Sequence, residues 1–339
     1  MTQPTLRVDR IGPAVTVQDL GRPGQLAMGL SQGGAADRYA IAEGAALLGQ
    51  DLGLAALEMP GFGGDFVASA PLRIALTGAP MTATMDGAAL QWNASHHVAA
   101  GQRLRIGAVI TGTYGYLHIG GGFATPKLLN SRSAHLAGGI GAPVAVGDVL
   151  PVGPDSGLDQ PGYMLDVADR FSGGTLRLLP GVHTDLFGPE IRARFAATRF
   201  TKTPRGNRQG VELAFDGAPF ATEQQLSVLS EPMLPGDIQM TGLGMPYVLL
   251  PECQTTGGYP RIGTVMPDDV PKLVQAAPGV ALRFAFTSHP EAMAQHRSLG
   301  AFAAGMRSKR RALIRKPNEI ADLLGYQLIS GMITGWEPE

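Results

Sequence analysis

The sequence predicts a mainly β chain with a few helices, built as two barrel-like halves in tandem. Three observations carry this. Short runs of Val, Ile, Leu and Tyr recur along the chain and are cut by turn residues. Those turn residues are abundant, with 47 glycines and 26 prolines in 339 residues, well above a usual combined share of about 12%. A turn-dense segment, GPDSGLDQPG at 153–162, divides the chain into halves of similar size.

The clearest strands are PLRIALTG (71–78), LRIGAVI (104–110), TYGYLHIG (113–120), TLRLLPG (175–181) and MPYVLLP (245–251). Their spacing fits barrels or sandwiches rather than a parallel sheet between helices. Helices are few and carry start signals. Asp37 opens an Ala-rich stretch reaching about Leu48, and Gly188-Pro189-Glu190 precedes the i, i+4 pair Ile191 and Phe195. Asp268 and Asp269 precede a short helix with Val270, Leu273 and Val274 apolar. Ser288 and Glu291 fit a capping box opening a helix to about Met306, and Asn318 is placed to cap a last one through Leu324. A repeated device, Gly101-x-x-Leu104-Arg105-Ile106 and Gly279-x-x-Leu282-Arg283-Phe284, puts a glycine turn before a strand near the end of each half. The organisation predicted is a first half at 1–160, a second at 161–300, and a basic helical extension at 301–339.

Composition excludes several classes. Hydrophobic residues are 44% and charged residues 16%, so the chain is not disordered. A net charge of −1 leaves no global footprint for nucleic acid. No apolar run reaches the ~18 residues of a membrane span, and the N-terminus lacks the apolar core of a signal peptide. One cysteine, Cys253, forms no internal disulfide. The expectation is a cytoplasmic protein without nucleic-acid or membrane partners.

Three polar clusters are candidate sites. The first is Gln18-Asp19-Leu20-Gly21-Arg22 with GGAADRYA at 33–40, which includes Asp37. Such loops carry functional groups on a scaffold, although an Asp19–Arg22 pair that organises a turn is the alternative. The second is Asn130-Ser131-Arg132-Ser133, where an arginine between hydroxyls suits bidentate grip of a carboxylate or carbonate, with an ordinary surface arginine in a loop as the alternative. The third runs from Gln239 to Gln254-Thr255-Thr256-Gly257-Gly258-Tyr259. Its neutral donors and flexible backbone suit an amide or a developing oxyanion, with a structural loop that satisfies its own backbone as the alternative. Gln18, Asp19, Arg22, Arg132, Arg208 and Gln254–Tyr259 are expected to converge on one cleft. Catalysis is assigned to Gln18, Asp19, Arg22, Arg132, Gln254, Thr255, Thr256 and Tyr259. Substrate binding falls to Asp37, Ser133, Arg208, Gln239, Gly257 and Gly258.

Other motifs fail. GGGFATPK (120–127) lacks phosphate-loop spacing, GFGG (61–64) lacks the third glycine of a dinucleotide turn, and the seven histidines show no metal-ligand spacing. No metal is expected. Cys253 reads as a packed thiol. The run Arg307, Lys309, Arg310, Arg311, Arg315 and Lys316 reads as a solvated helix face, with a docking surface for an acidic partner as the alternative.

The stretches TVQDLGRPG (16–24), GGAAD (33–37), LEMPGFGG (57–64), GGFATPKLLNSRS (121–133), the segment 236–269 with its QTTGGYPRI, and LISG (328–331) resemble a known family. It is the biotin-dependent carboxyltransferase-type family that holds the C-type chain of 5-oxoprolinase and the second chain of urea amidolyase (the second allophanate hydrolase component). It also contains a kinase-inhibitor antagonist. The resemblance implies two cyclophilin-like β-barrel subdomains with the site in the groove between them. It implies a hydrolase component of an ATP-dependent 5-oxoprolinase or related complex, acting on a small amide or lactam with a first-subunit (B-type) partner. No cofactor is bound covalently; ATP belongs to the full complex, and carboxybiotin to a partner. A urea-type carboxyltransferase component and a non-catalytic regulatory protein are the alternatives. The sequence departs from the family pattern at Gly44-Ala45, Gly49-Gln50, Gly141-Ala142, Gln209 and Glu252, where the family has Asp.

Overall fold

The computed structural model describes residues 3–220 and 228–314. The first half, which takes in residues past the expected boundary at 160 because β12 pairs with β8, contributes strands β1 (Thr5–Ile11), β2 (Thr16–Gln18), β3 (Ala56–Pro60), β4 (Phe62–Ala68), β5 (Leu72–Gly78), β6 (Met81–Met85), β7 (Ala88–Ala89), β8 (Ala94–Val98), β9 (Arg103–Val109), β10 (Tyr114–Ile119), β11 (Val149–Pro151) and β12 (Tyr163–Met164). They form two sheets, ordered β11-β1-β4-β9-β6-β7 and β2-β3-β10-β5-β8-β12. One core is filled from both, with Val8, Phe66 and Ile106 from the first sheet and Leu57, Ile74 and Leu117 from the second. The alternation of buried and exposed residues in β9 is what a sheet with one wet face requires.

The second half is a closed seven-stranded barrel. Its strands are β13 (Gly174–Leu179), β14 (Phe200–Gly206), β15 (Gly210–Ala214), β17 (Asp237–Met240), β18 (Pro246–Leu249), β20 (Arg261–Val265) and β21 (Ala281–Phe286). A small ribbon of β16 (Glu231–Pro232) and β19 (Thr256–Gly257) lies outside the ring. Closure removes exposed strand edges. The barrel is filled by aromatic residues: Phe195, Phe200, Phe220 and Phe284 are fully buried, and their ring centroids lie 4.8–5.9 Å apart. Gly101 and Gly279, the repeated glycines, have φ of +79° and +84° and feed β9 and β21.

The helices are α1 (Arg38–Leu48), α2 (Pro189–Ala197), α3 (Val270–Gln275), α4 (His289–Gln295) and α5 (Leu299–Ser308). Asp37 caps α1, its Oδ1 accepting from the N–H groups of Tyr39 and Ala40. One expectation is corrected. The helix expected from Ser288 to Met306 is two helices, because Ser298 has extended backbone and its hydroxyl caps α5. Asp269 does not cap α3; its carboxylate takes three N–H bonds from Arg177 instead. The helix expected after Asn318 lies outside the described residues.

The chain returns from the barrel to the first half. Phe302 of α5 stacks on Tyr39 of α1 at 4.2 Å, and β22 (Arg311–Ala312) pairs with β12. The basic run is therefore not a plain solvated face. Arg307 and Arg310 donate to the carbonyls of Gln50 and Ala46, and Arg73 donates to Leu48 O. Orphan carbonyls and the negative dipole end of α1 favour cations there. Arg311 pairs with Asp166, while Arg315 and Lys316 lie outside the described residues. Among the described residues no helix is long and apolar enough to cross a membrane, and no His, Cys, Asp and Glu cluster could hold a metal ion.

Lys202 of β14 is buried with its ammonium on Val274 O at 2.8 Å, and burial pushes its pKa down to about 8. Between about pH 8 and 10.5 the unfolded chain holds a proton the folded chain lacks, so this contribution stabilises as pH rises. In urea denaturation, the stability of Lys202→Met relative to wild type is expected to fall across that window; a pH-independent difference contradicts this.

Candidate functional site: a buried ionic seam and two clefts

The first cluster folds around Asp19. Its Oδ1 accepts from the hydroxyls of Ser131 and Ser133 and from Gly21 N–H, at 2.5–2.8 Å, and its Oδ2 accepts from Arg132 N–H at 2.7 Å. The carboxylate thus ties the loop after β2 to the 130–133 loop and has no face left for a ligand. Gln18 is fully buried and donates to Thr16 and to Ala134 O. Both residues, expected to be catalytic, build the scaffold. Of the two readings of this cluster, the turn organiser is observed, with the serine hydroxyls as partners in place of Arg22.

Arg22 lies behind that loop, 1% exposed. Its Nη2 donates to Ser133 O at 2.5 Å, yet Nη1 has no partner among the described residues. An unmet buried donor costs about 1–3 kcal/mol, more when charged. Burial lowers its pKa, and Asp19 and Glu252 oppose that shift. Arg22, Lys127, Arg132 and Ser133 line a pocket of about 450 Å³.

Gly33 and Gly34 separate this pocket from a second cleft. A side chain on Gly34, at φ +85°, would meet Gly21 N at 2.6 Å, so only glycine lets the two loops touch. Arg22 Nη1 sits 3.6 Å from the Cβ position of Gly33, while Gly34 O accepts from Arg208. The two arginines therefore flank one glycine pair.

Arg208 lies in the turn between β14 and β15 of the barrel and reaches into the first half. It is ion-paired with Glu58 of β3 and, at 2.5 Å, with Glu252. Both carboxylates hold its pKa above the usual value against the opposing effect of burial. Glu58 continues the chain of bonds: its Oε2 accepts from Tyr116 OH and Ala36 N–H, and Tyr116 OH accepts from Asp37 N–H. Asp37 Oδ2 then accepts from Arg170 and from Gln275 of α3. Arg170 also grips Glu43 through two 2.7 Å bonds. Asp37 is accordingly fully buried within this seam, which corrects its assignment to substrate binding. Arg208 has its charge matched by two protein carboxylates, which corrects its expected role as an anion clamp.

Above the seam lies an inter-half cleft of about 440 Å³, lined by Glu58, Tyr114, Leu136, Ala137, Asn207, Arg208, Gln209 and Glu252. Glu252 Oε2 accepts from Ala137 N–H, so both its oxygens are engaged. Tyr114 has its pKa pushed up to about 12 by burial, reinforced by Glu58. Its hydroxyl is a neutral donor at physiological pH.

The third cluster stands apart. Gln254, Thr255, Thr256, Gly257, Gly258 and Tyr259 line neither cleft. Gln254, Thr256 and Tyr259 are exposed, and Thr256–Gly257 pair in the outer ribbon. Gln239 is buried and accepts from Gln254 Nε2 at 3.2 Å. Cys253 is a packed thiol whose pKa burial pushes up to about 12. The expected convergence is thus partial: Arg22, Arg132 and Ser133 share a pocket, and Arg208 lines the neighbouring cleft. Glu58, Tyr114 and Glu252 were missed. The signal for Glu58 was a lone charge in the apolar strand LEMP, which demands a buried partner.

Fold and site together define a two-unit β protein whose halves are joined by a buried carboxylate–guanidinium seam beneath an open cleft. The family profile for "Carboxyltransferase domain, subdomain A and B" matches residues 28–286, and the chain belongs to that family. It is 32% identical over 281 residues to the C-type chain of 5-oxoprolinase from Haemophilus influenzae, covering 82% of this chain and 89% of that one. Among solved structures, TTHA0988 superposes with a TM-score of 0.76 at 31% identity over 84% of this chain, which spans 56% of that one. The Kluyveromyces lactis urea carboxylase superposes with a TM-score of 0.78 at 22% identity over 94% of this chain, which spans 30% of that one; this likeness shows the fold.

Arg208→Met would strand two carboxylates in the seam. It is expected to lower the unfolding free energy by about 3–5 kcal/mol, part of which Glu252→Gln restores in the double variant. Denaturant titration checks this, and a loss below about 1 kcal/mol contradicts it.

Proposed function

We propose that this chain is the C-type component of an ATP-dependent 5-oxoprolinase-like complex that opens a small lactam or amide. The observation that carries this reading is the inter-half cleft, a space lined by Tyr114 together with Glu58, Arg208 and Glu252. Its 32% identity to a C-type chain of 5-oxoprolinase, across most of both sequences, supports the same substrate class.

Hydrolysis of a lactam joins water oxygen to the carbonyl carbon and breaks the C–N bond, with the nitrogen leaving as an amine. Negative charge gathers on the carbonyl oxygen, and a positioned donor lowers that barrier. Tyr114 is the donor assigned here; its backbone is fixed by two hydrogen bonds with Gln275. Glu58 and Glu252 are occupied by Arg208, so they fix the local field and shape rather than carry protons. The described residues contain no phosphate-loop spacing, so a B-type first subunit is the expected source of ATP chemistry. A second reading, a carboxyltransferase component acting on urea or a similar amide, rests on the family match and requires carboxybiotin on a partner.

Co-purification with the cognate first subunit, followed by ATP-dependent 5-oxoproline hydrolysis, tests the proposal. Activity is expected only with both chains present. Tyr114→Phe should lower kcat by roughly a hundred-fold with little change in KM, as removal of an oxyanion donor does. Carboxylation of urea without 5-oxoproline hydrolysis would establish the second reading instead, and neither activity would overturn both.

A further inference from the structure

The pocket under Arg132 shares no lining residue with the inter-half cleft. Its wall carries three cations, Arg22, Lys127 and Arg132, and one acid, Asp148. Asp148 already accepts from Ala145 N–H at 2.8 Å. None of the three cations forms an ion pair among the described residues.

The contrast with the other deeply buried arginines is sharp. Arg73, Arg170 and Arg208 each hold at least one carboxylate directly. Arg22 is more buried than any of them, yet it meets only carbonyl oxygens and keeps Nη1 free among the described residues. Thr125 Oγ1 is also buried and unpartnered among the described residues. Buried polar atoms are nearly always satisfied. Both atoms belong to residues that line this pocket, and with its surplus of positive charge they fit an acceptor-rich anion.

We propose that this pocket is an oxyanion subsite in which Arg22, Arg132 and Lys127 hold a ligand group bearing two or more oxygens. Arg22 Nη1 donates from the floor, and Thr125 Oγ1 adds a second bond. Arg132 and Lys127 close over the group from the more accessible side. Carboxylate, bicarbonate and phosphate share this chemistry. The proposal does not rest on the reading of the inter-half cleft, because the subsite belongs to this chain alone.

The test is thermal unfolding of the whole chain, without any partner, titrated with phosphate, acetate or bicarbonate at constant ionic strength set by chloride. At least one anion is expected to raise Tm saturably, by the linkage of binding to folding. The anion that acts at the lowest concentration distinguishes phosphoryl from carboxyl recognition. Arg132→Ala and Lys127→Ala, at more accessible positions, should melt like wild type without anion. Each should weaken the anion's apparent affinity roughly ten- to a hundred-fold, the effect of losing one charge-assisted hydrogen bond. Arg22→Met should abolish the response. An anion effect that never saturates, or one that persists unchanged in Arg132→Ala and Lys127→Ala, overturns the proposal. Failure of this test leaves the lactam assay unaffected, so the two readings fail separately.

Discussion

The salt bridge of Arg208 to Glu58 and Glu252 is the interaction on which the rest of the architecture depends. Arg208 and Glu252 belong to the barrel, and Glu58 belongs to β3 of the first half. Taking three charges out of water is costly, and only close pairing with further hydrogen bonds offsets it. The further bonds come from Gly34 O, Ala36 N–H, Tyr116 OH and Ala137 N–H. All four belong to the first half, so the ion pairs set where the barrel docks.

The same constraint shapes both clefts. Glu252 holds the 135–138 turn, whose His135 accepts from Gly138 N–H through Nδ1 and so donates through Nε2 to Ser31. Burial lowers the pKa of His135, keeping this arrangement neutral. In the same segment Gln32 O accepts from Arg22 N–H, Gly33 borders Arg22 Nη1, and Gly33 N–H reaches across to Pro251 O of the barrel. Movement at the seam would therefore reach both the inter-half cleft and the basic pocket.

Much of the fold was legible because strand patterning and turn chemistry are local. The five expected strands, the Asp37 cap, the Ser288–Glu291 capping box and the paired glycine turns are all present. The Ser298 break was missed because an ordinary serine carries two readings, helix interior or cap, that only packing separates. The site was legible in part. Polar loops were found, but which acid meets which base was not, because Arg208 finds Glu58 from 150 positions away. Asp19 and Asp37 drew notice as acids and prove to be saturated by hydroxyls, backbone N–H groups and Arg170. Glu252 stood out only as a departure from a family pattern. The longer side chain accepts from Arg208 and Ala137 at once.

In the proposed function the amide group is held at the junction of the two halves, above the Arg208 seam. The most direct measurement is a structure of the reconstituted complex with 5-oxoproline bound. Ligand density is expected in the inter-half cleft, with the carbonyl oxygen within hydrogen-bond distance of Tyr114 OH. Density confined to the Gln254–Tyr259 ribbon, or to the partner chain alone, would contradict it.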